Sequence, residues 1–209
     1  MRLESMVPSQ RKKDRFVLKL ENGDSFVCTA AEAADFALYP GRELTEEELE
    51  RLQAASALSR CKERAAALLA YRAMSAGELE RKLIEKGESP DNAAAAVERL
   101  AELGALDDEG YAKSVARHYA AKGWGPARVR EELRRRRVPR EYWDDALAEY
   151  EERTEQDETL ERLLRRRLSD PADPAQRKKA ADALRRRGFA WEEIKEAMER
   201  IAQDVEEEL

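Results

Sequence analysis

Leu83, Leu133 and Leu184 stand 50 and 51 residues apart, each inside a similar stretch: SAGELERKLIEKG from Ser75, GPARVREELRRRR from Gly125 and QRKKAADALRRRG from Gln176. Leu79, Val129 and Ala180 fall in register one helical turn earlier. The register continues through Ala93, Trp143 and Ile194, then Val97, Leu147 and Met198, then Leu100, Tyr150 and Ile201. Steps of three and four residues place each set on one helical face. A pattern returning every 50 residues or so calls for stacked small units, each burying its apolar face against its own helices and its neighbours. A further helical stretch precedes each copy, around residues 58–72, 108–121 and 155–168, so the unit is three helices.

Composition suits such units. Of 209 residues, 42% are hydrophobic and 40% charged, while aromatics make up only 6%. Ala, Leu, Glu and Arg lose little side-chain freedom in a helix. Punctuation agrees: Thr45 opens a capping-box pattern, Ser75 with Glu78 makes another, and Pro90, Pro126, Pro139 and Pro174 suit first helical positions. Gly87 and Gly188 follow the second helix of copies one and three, where a left-handed cap is expected. Copy two carries Arg137 in that slot. A non-glycine in that conformation costs about 1 kcal/mol. Either something beyond local stability favours the arginine, or that helix ends without the left-handed turn.

The N-terminal region reads differently. RFVLKL and SFVCTA alternate apolar and polar positions around Asn22-Gly23, which predicts a hairpin with a type I′ turn. Thr29 and Glu32 can close a capping box on a short helix ended by Pro40-Gly41. The expected fold is all-α, a tandem of three three-helix units preceded by a small β-hairpin. The expected boundaries are a basic disordered arm over 1–14, hairpin and short helix over 15–44, and units over 45–104, 105–153 and 154–209, the last with an acidic tail.

Several function classes are excluded by what is missing. The lone His118 cannot build a multi-histidine metal site, and Cys28 and Cys61 make no disulfide framework. Both cysteines are expected as small buried residues, and His118 on or near a helix surface. The sequence contains no phosphate-binding loop, dinucleotide fingerprint, calcium loop or nucleophile elbow. No catalytic, cofactor-binding or metal residues are assigned, and no enzyme is expected. The absence of a run of about 18 apolar residues excludes a membrane-spanning helix. With no signal-peptide stretch at its start, the chain is expected in the cytoplasm, and as a monomer.

Charge is the remaining signal. The whole chain has net charge −6, yet residues 160–190 hold ten Arg/Lys against four acids, and residues 192–209 eight acids against two cations. The second helices of copies two and three end in arginine runs, Arg134–Arg137 and Arg185–Arg187. A cation at a helix C-terminus gains about 0.3–1 kcal/mol from the macrodipole, which accounts for one or two arginines per end. Stacked units would bring such ends along one edge. Arg128, Arg134, Arg135, Arg136, Arg137, Arg140, Arg185, Arg186 and Arg187 are therefore the candidate contact residues for a polyanion or an acidic protein surface. Trp124, Trp143 and Trp191 read as packing residues, so stacking on bases is not expected, and backbone-type electrostatic contact remains.

The stretch MSAGELERKLIEKG, followed by LGALDDEGYAKSVARHYAAKGWGPARVREELRRRRV, resembles the RecX family of recombinase regulators. The matching residues are Ser75, Glu78, Leu79, Lys82, Leu83, Lys86 and Gly87; Gly104, Leu106, Asp107 and Asp108; Tyr111 and Ala112; and Gly125, Val129, Glu132 and Leu133. The likeness covers about residues 60–205. Met74 stands where arginine is common in the family, and Arg137 where glycine is common. The resemblance implies a protein that binds the RecA filament on single-stranded DNA within its helical groove. It further implies suppression of ATP hydrolysis and strand exchange, a part in DNA recombination and repair, and possible direct contact with the DNA. Asp107 and Asp108 read as a helix N-cap rather than a functional acid pair. A competing reading is a DNA-binding regulator using one unit as a helix-turn-helix, but REYWDDALAEY and WEEIKEAMER are too acidic for recognition helices.

Overall fold

Three antiparallel strands open the chain, one more than the sequence announces. The computed structural model describes residues 1–207 apart from Arg11 and Glu155; Glu208 and Leu209 of the acidic tail lie outside the described residues. Strands β1 (Leu3–Pro8), β2 (Arg15–Leu20) and β3 (Ser25–Thr29) form a meander. Six of the fourteen residues expected as a disordered arm thus form strand β1. Leu3 is fully buried opposite Leu20, and Met6 lies opposite Leu18. A bulge between Leu3 and Ser5 breaks the two-residue alternation, which hides this strand from a pattern search.

The β2–β3 turn also departs from expectation. Gly23 is left-handed (φ 89°) but Asn22 is not, so the type I′ turn is replaced by a three-residue loop. Gly23 N–H donates to the Leu20 carbonyl at 2.9 Å, and Leu20 N–H to that of Asp24 at 2.9 Å. Helix α1 (Ala30–Asp35) starts with the expected Thr29–Glu32 capping box. It stops well before Pro40, because Ala37 turns left-handed (φ 46°) and Leu38 N–H reaches back to the Ala33 carbonyl at 2.8 Å. Leu3, Leu18, Leu20, Cys28, Leu44 and Leu52 form the core beneath the sheet. Both cysteines are buried, and burial pushes the Cys28 thiol up to about 11.

Nine further helices follow among the described residues. They are α2 (Glu46–Tyr71), α3 (Ala76–Glu85) and α4 (Pro90–Glu102), then α5 (Asp108–Ala121), α6 (Pro126–Arg135) and α7 (Trp143–Thr154). The last three are α8 (Gln156–Arg165), α9 (Pro174–Arg186) and α10 (Trp191–Glu207). Two compact bodies result, residues 1–72 with 79–103, and 73–78 with 104–209.

Leu83, Leu133 and Leu184 are fully buried, and so are Leu79 and Val129, with Ala180 at 2% exposure. Ala96, Ala146 and Ala197 form another set in the same register, all fully buried, where small side chains let helices pack closely. Val97 and Leu100 are only half-buried, unlike their counterparts Leu147, Tyr150, Met198 and Ile201. Pro90, Pro126 and Pro174 occupy first helical turns as expected. Pro139 instead precedes a 3₁₀ turn, Arg140–Tyr142.

The second helix of every repeat ends in the same hydrogen-bond pattern. Glu88, Val138 and Phe189 donate N–H to the carbonyls of Leu83, Leu133 and Leu184, at 3.1, 3.0 and 3.3 Å. Gly87, Arg137 and Gly188 donate to Ile84, Arg134 and Arg185, at 2.9, 3.0 and 2.9 Å. These paired bonds require a left-handed residue after the cap. Gly87 (φ 88°) and Gly188 (φ 91°) supply it, and so does Arg137 (φ 53°). The alternative of an ending without the left-handed turn is thereby closed.

Candidate interaction surface

The arginine run at the end of α6 is built around one carboxylate. Glu132 lies three and four residues before Arg135 and Arg136, which puts all three on one face of the helix. Its side chain is buried, at 4% exposure. Arg135 grips it as a fork, Nη2 to Oε1 at 2.6 Å and Nε to Oε2 at 2.9 Å. Arg136 Nε donates to the same Oε1, and its Nη1 donates to the Tyr111 hydroxyl. The Arg136 guanidinium lies 5.8 Å from the centre of the Tyr111 ring. The hydrogen bonds from Arg135 and then Arg136 overcome burial and hold the Glu132 carboxyl at about 2.

The other candidates divide into anchored and outward groups. Arg128 and Arg187 lie over Trp124, at 5.5 and 5.7 Å from the ring centre. Arg128 also pairs with Glu131, and Arg187 Nη1 donates to the Gly123 carbonyl at 3.3 Å. Arg140 lies 5.8 Å from the Trp143 ring centre. Arg134, Arg137, Arg185 and Arg186 are exposed. Trp124 and Trp143 thus do pack, with arginines over them, whereas Trp191 is 50% exposed and corrects the reading of all three as packing residues. His118 is exposed, edge-on to Tyr119.

Repeat stacking fixes where these ends lie. Gly125 N–H donates to the Arg187 carbonyl at 2.8 Å, and Ala127 N–H to that of Gly188 at 3.1 Å. The end of α9 therefore docks on the start of α6, and the length of α6, about 15 Å, separates the two arginine runs. Ser75 Oγ donates to the Arg136 carbonyl in the equivalent place at the start of α3. The Gly77 Cα approaches so closely that a Cβ there would stand 2.8 Å from the Arg137 carbonyl oxygen. Asp107 caps α5 by accepting from Gly110 N–H at 2.8 Å. Asp108 accepts from Ala76 N–H at 2.8 Å, and burial raises its carboxyl above the usual range. Its place at this joint went unread in the sequence.

Three cations that sequence reading counted but assigned to no site, Arg162, Arg166 and Arg167, are exposed beside Arg187 and Lys122. Among the described residues no group of three or more His, Cys, Asp or Glu side chains could hold a metal ion. No helix among them is long and apolar enough to cross a membrane.

A tandem of three-helix units joined through left-handed helix ends defines a helical-repeat protein. Models of the first, second and third three-helix domains of RecX match residues 61–100, 107–147 and 154–198. The regulatory protein RecX of Xanthomonas axonopodis pv. citri is 42% identical over 137 residues, covering 65% of this chain and 83% of its own. That of Stenotrophomonas maltophilia is 41% identical over the same shares. A crystal structure of regulatory protein RecX covers 93% of this chain and 98% of its own, with TM-score 0.72 and 23% identity. The RecX structure from Lactobacillus salivarius covers 71% and 99%, with TM-score 0.62. The chain belongs to the RecX family of regulatory proteins.

Proposed function

We propose that this protein is a negative modulator of the RecA recombinase. It acts on the filament that RecA forms on single-stranded DNA, suppresses ATP hydrolysis and strand exchange, and has no catalytic chemistry of its own. The observation that carries the reading is the match of all three repeats to RecX domains. The exposed arginines at the ends of α6 and α9 support it, because they give the chain cations that its own fold does not consume. Arg134, Arg185 and Arg186 are the foremost contact residues, while Arg128, Arg135, Arg136 and Arg140 are held by Glu131, Glu132 and the Trp124, Tyr111 and Trp143 rings. Charge of this kind steers encounter with an anionic filament and is screened by salt.

The helix-turn-helix alternative is weaker. Asp144 and Asp145 at the start of α7, and Glu192 at the start of α10, are exposed where a recognition helix would meet phosphates. The deciding experiment is DNA-dependent ATP hydrolysis by the cognate recombinase with and without the purified protein. Hydrolysis should fall as protein is added, and less steeply at high salt. Unchanged hydrolysis at saturating protein would refute the reading, as would hydrolysis of ATP by the purified chain alone.

A further inference from the structure

Five cations line a cleft of about 680 Å³ in the second body, and no carboxylate is among the described residues around it. They are Lys122, Arg162, Arg166, Arg167 and Arg187. A neighbouring hollow of about 420 Å³ shares Arg167 and adds Lys179 and Arg186. None of the seven makes an ion pair among the described residues. Arg165, in the midst of them on α8, shows the contrast: it pairs with Glu161 at 3.9 Å and with Asp204.

Part of this charge has a structural cause. The ends of α5, α8 and α9 contribute cations to this cleft: Lys122 caps α5, Arg166 and Arg167 follow α8, and Arg187 caps α9. Each helix end carries roughly half a negative charge. Three such ends amount to about one and a half negative charges, which five cations exceed more than threefold. The surplus is unmet within the described structure and favours an anion from outside.

The cleft is also partly set in advance. Arg187 Nη1 donates to the Gly123 carbonyl at 3.3 Å, and Arg167 Nη1 to that of Leu163 at 3.0 Å. Left-handed Gly123 (φ 68°) leaves the space for this: a Cβ there would stand 3.4 Å from Arg187 Nη1. Guanidinium groups held this way lose less freedom when a ligand arrives, and they match phosphate oxygens in pairs.

We propose that this cleft binds the sugar–phosphate backbone of single-stranded nucleic acid, gripped by Lys122, Arg162, Arg166, Arg167 and Arg187. Several cations spread over two adjoining hollows suit a chain of phosphates rather than one ion. A flexible single strand can follow a recess of this size, whereas duplex DNA, with a persistence length of about 50 nm, does not bend into it. No aromatic ring lines either hollow, so binding is through the backbone and indifferent to base sequence. The site works without recombinase. It relies on the filament reading only for its setting.

The test uses the full chain alone, with fluorescence anisotropy of a labelled oligothymidylate at low salt. Replacing Arg162→Glu and Arg166→Glu should weaken binding at least about tenfold and flatten the salt dependence by about 1 to 1.5 in logarithmic slope, as for two lost phosphate contacts. Both side chains are exposed, and far-UV circular dichroism checks the fold. The milder Arg162→Gln with Arg166→Gln should show a smaller loss. A charge-matched control on α2, Arg51→Glu with Arg60→Glu, should bind as the parent does. A duplex of the same length and inorganic polyphosphate serve as competitors, and both should compete more weakly than unlabelled oligothymidylate. The proposal is overturned by a parent that does not bind, by a reversal that binds like the parent, or by preference for duplex or polyphosphate. Recombinase suppression measured on the same variants separates the two readings: suppression by a parent that binds no oligonucleotide would sink the cleft and leave the proposed function standing.

Discussion

The ends of α6 and α9 have the same backbone and differ in how their arginines are held. Both close with the same pair of hydrogen bonds into a left-handed residue. The α6 end carries four arginines in sequence and the α9 end three. Glu132 engages two of the four, Arg135 and Arg136. In repeat three the position equivalent to Glu132 is Ala183, and Asp182, three and four residues before Arg185 and Arg186, makes no ion pair with either among the described residues. The longer run therefore presents no more free charge than the shorter one: Arg134 and Arg137 are exposed at one end, Arg185 and Arg186 at the other. Spacing alone does not rank the two ends, since an acid stands three and four residues before a pair of arginines at both; the difference is that Glu132 is engaged by its arginines.

Glycine is distributed differently at the two joints. Gly188 supplies the left-handed turn at the α6–α9 joint, and a Cβ there would stand 2.6 Å from Arg128 N. At the other joint the left-handed residue is Arg137, and the glycine is Gly77 on the facing helix. The α6–α9 joint has glycine on both sides, since a Cβ on the facing Gly125 would stand 2.4 Å from the Gly188 carbonyl, whereas the other joint has glycine on the facing helix and arginine at the turn. The largest expected effect follows: Gly188→Ala combines left-handed strain with a backbone clash and should cost about 2–4 kcal/mol in chemical denaturation. A cost below about 1 kcal/mol would show that the joint yields, and would remove the contrast with Arg137.

Glu132→Gln comes next, at about 2–3 kcal/mol near neutral pH. A carboxyl depressed on folding adds stability that is complete above its unfolded value and lost as pH falls through its folded one. For Glu132 that window runs from its usual 4.5 down to about 2. The parent should lose stability across this window on acidification, and Glu132→Gln should lose correspondingly less. Equal acid sensitivity would mean that the carboxylate does not anchor the run. The smallest effect is expected from Arg137→Gly, a gain of up to about 1 kcal/mol as left-handed strain is relieved, offset by a freer unfolded chain. A clear loss of stability would show that the Arg137 side chain holds the joint rather than burdening it.

Much of this was legible in the sequence, because apolar register is a local signal. Leu83, Leu133 and Leu184 announced the repeats, and Ala96, Ala146 and Ala197 lay in the same register unread. The Glu132 anchor was also present as a carboxylate three and four residues before two arginines. Strand β1 was hidden because its bulge destroys the alternation on which strand detection relies. Trp191 stands outside the apolar register that includes Trp143, which is the signal that it would not pack. The basic cleft had no local signature, since it joins residues 122, 162–167 and 187, from helix ends far apart in sequence.

The most direct measurement compares two charge reversals of equal size for suppression of recombinase ATP hydrolysis on single-stranded DNA. One is Arg134→Glu with Arg137→Glu at the end of α6; the other is Arg185→Glu with Arg186→Glu at the end of α9. All four side chains are exposed, and unfolding midpoints establish that each variant folds. Both reversals should weaken suppression, and the α9 pair should do so more, because Arg186 adjoins the cations of the hollow next to it, with the difference shrinking as salt is raised. Suppression equal to the parent's in both folded variants, or a larger loss from the α6 pair, would contradict the account.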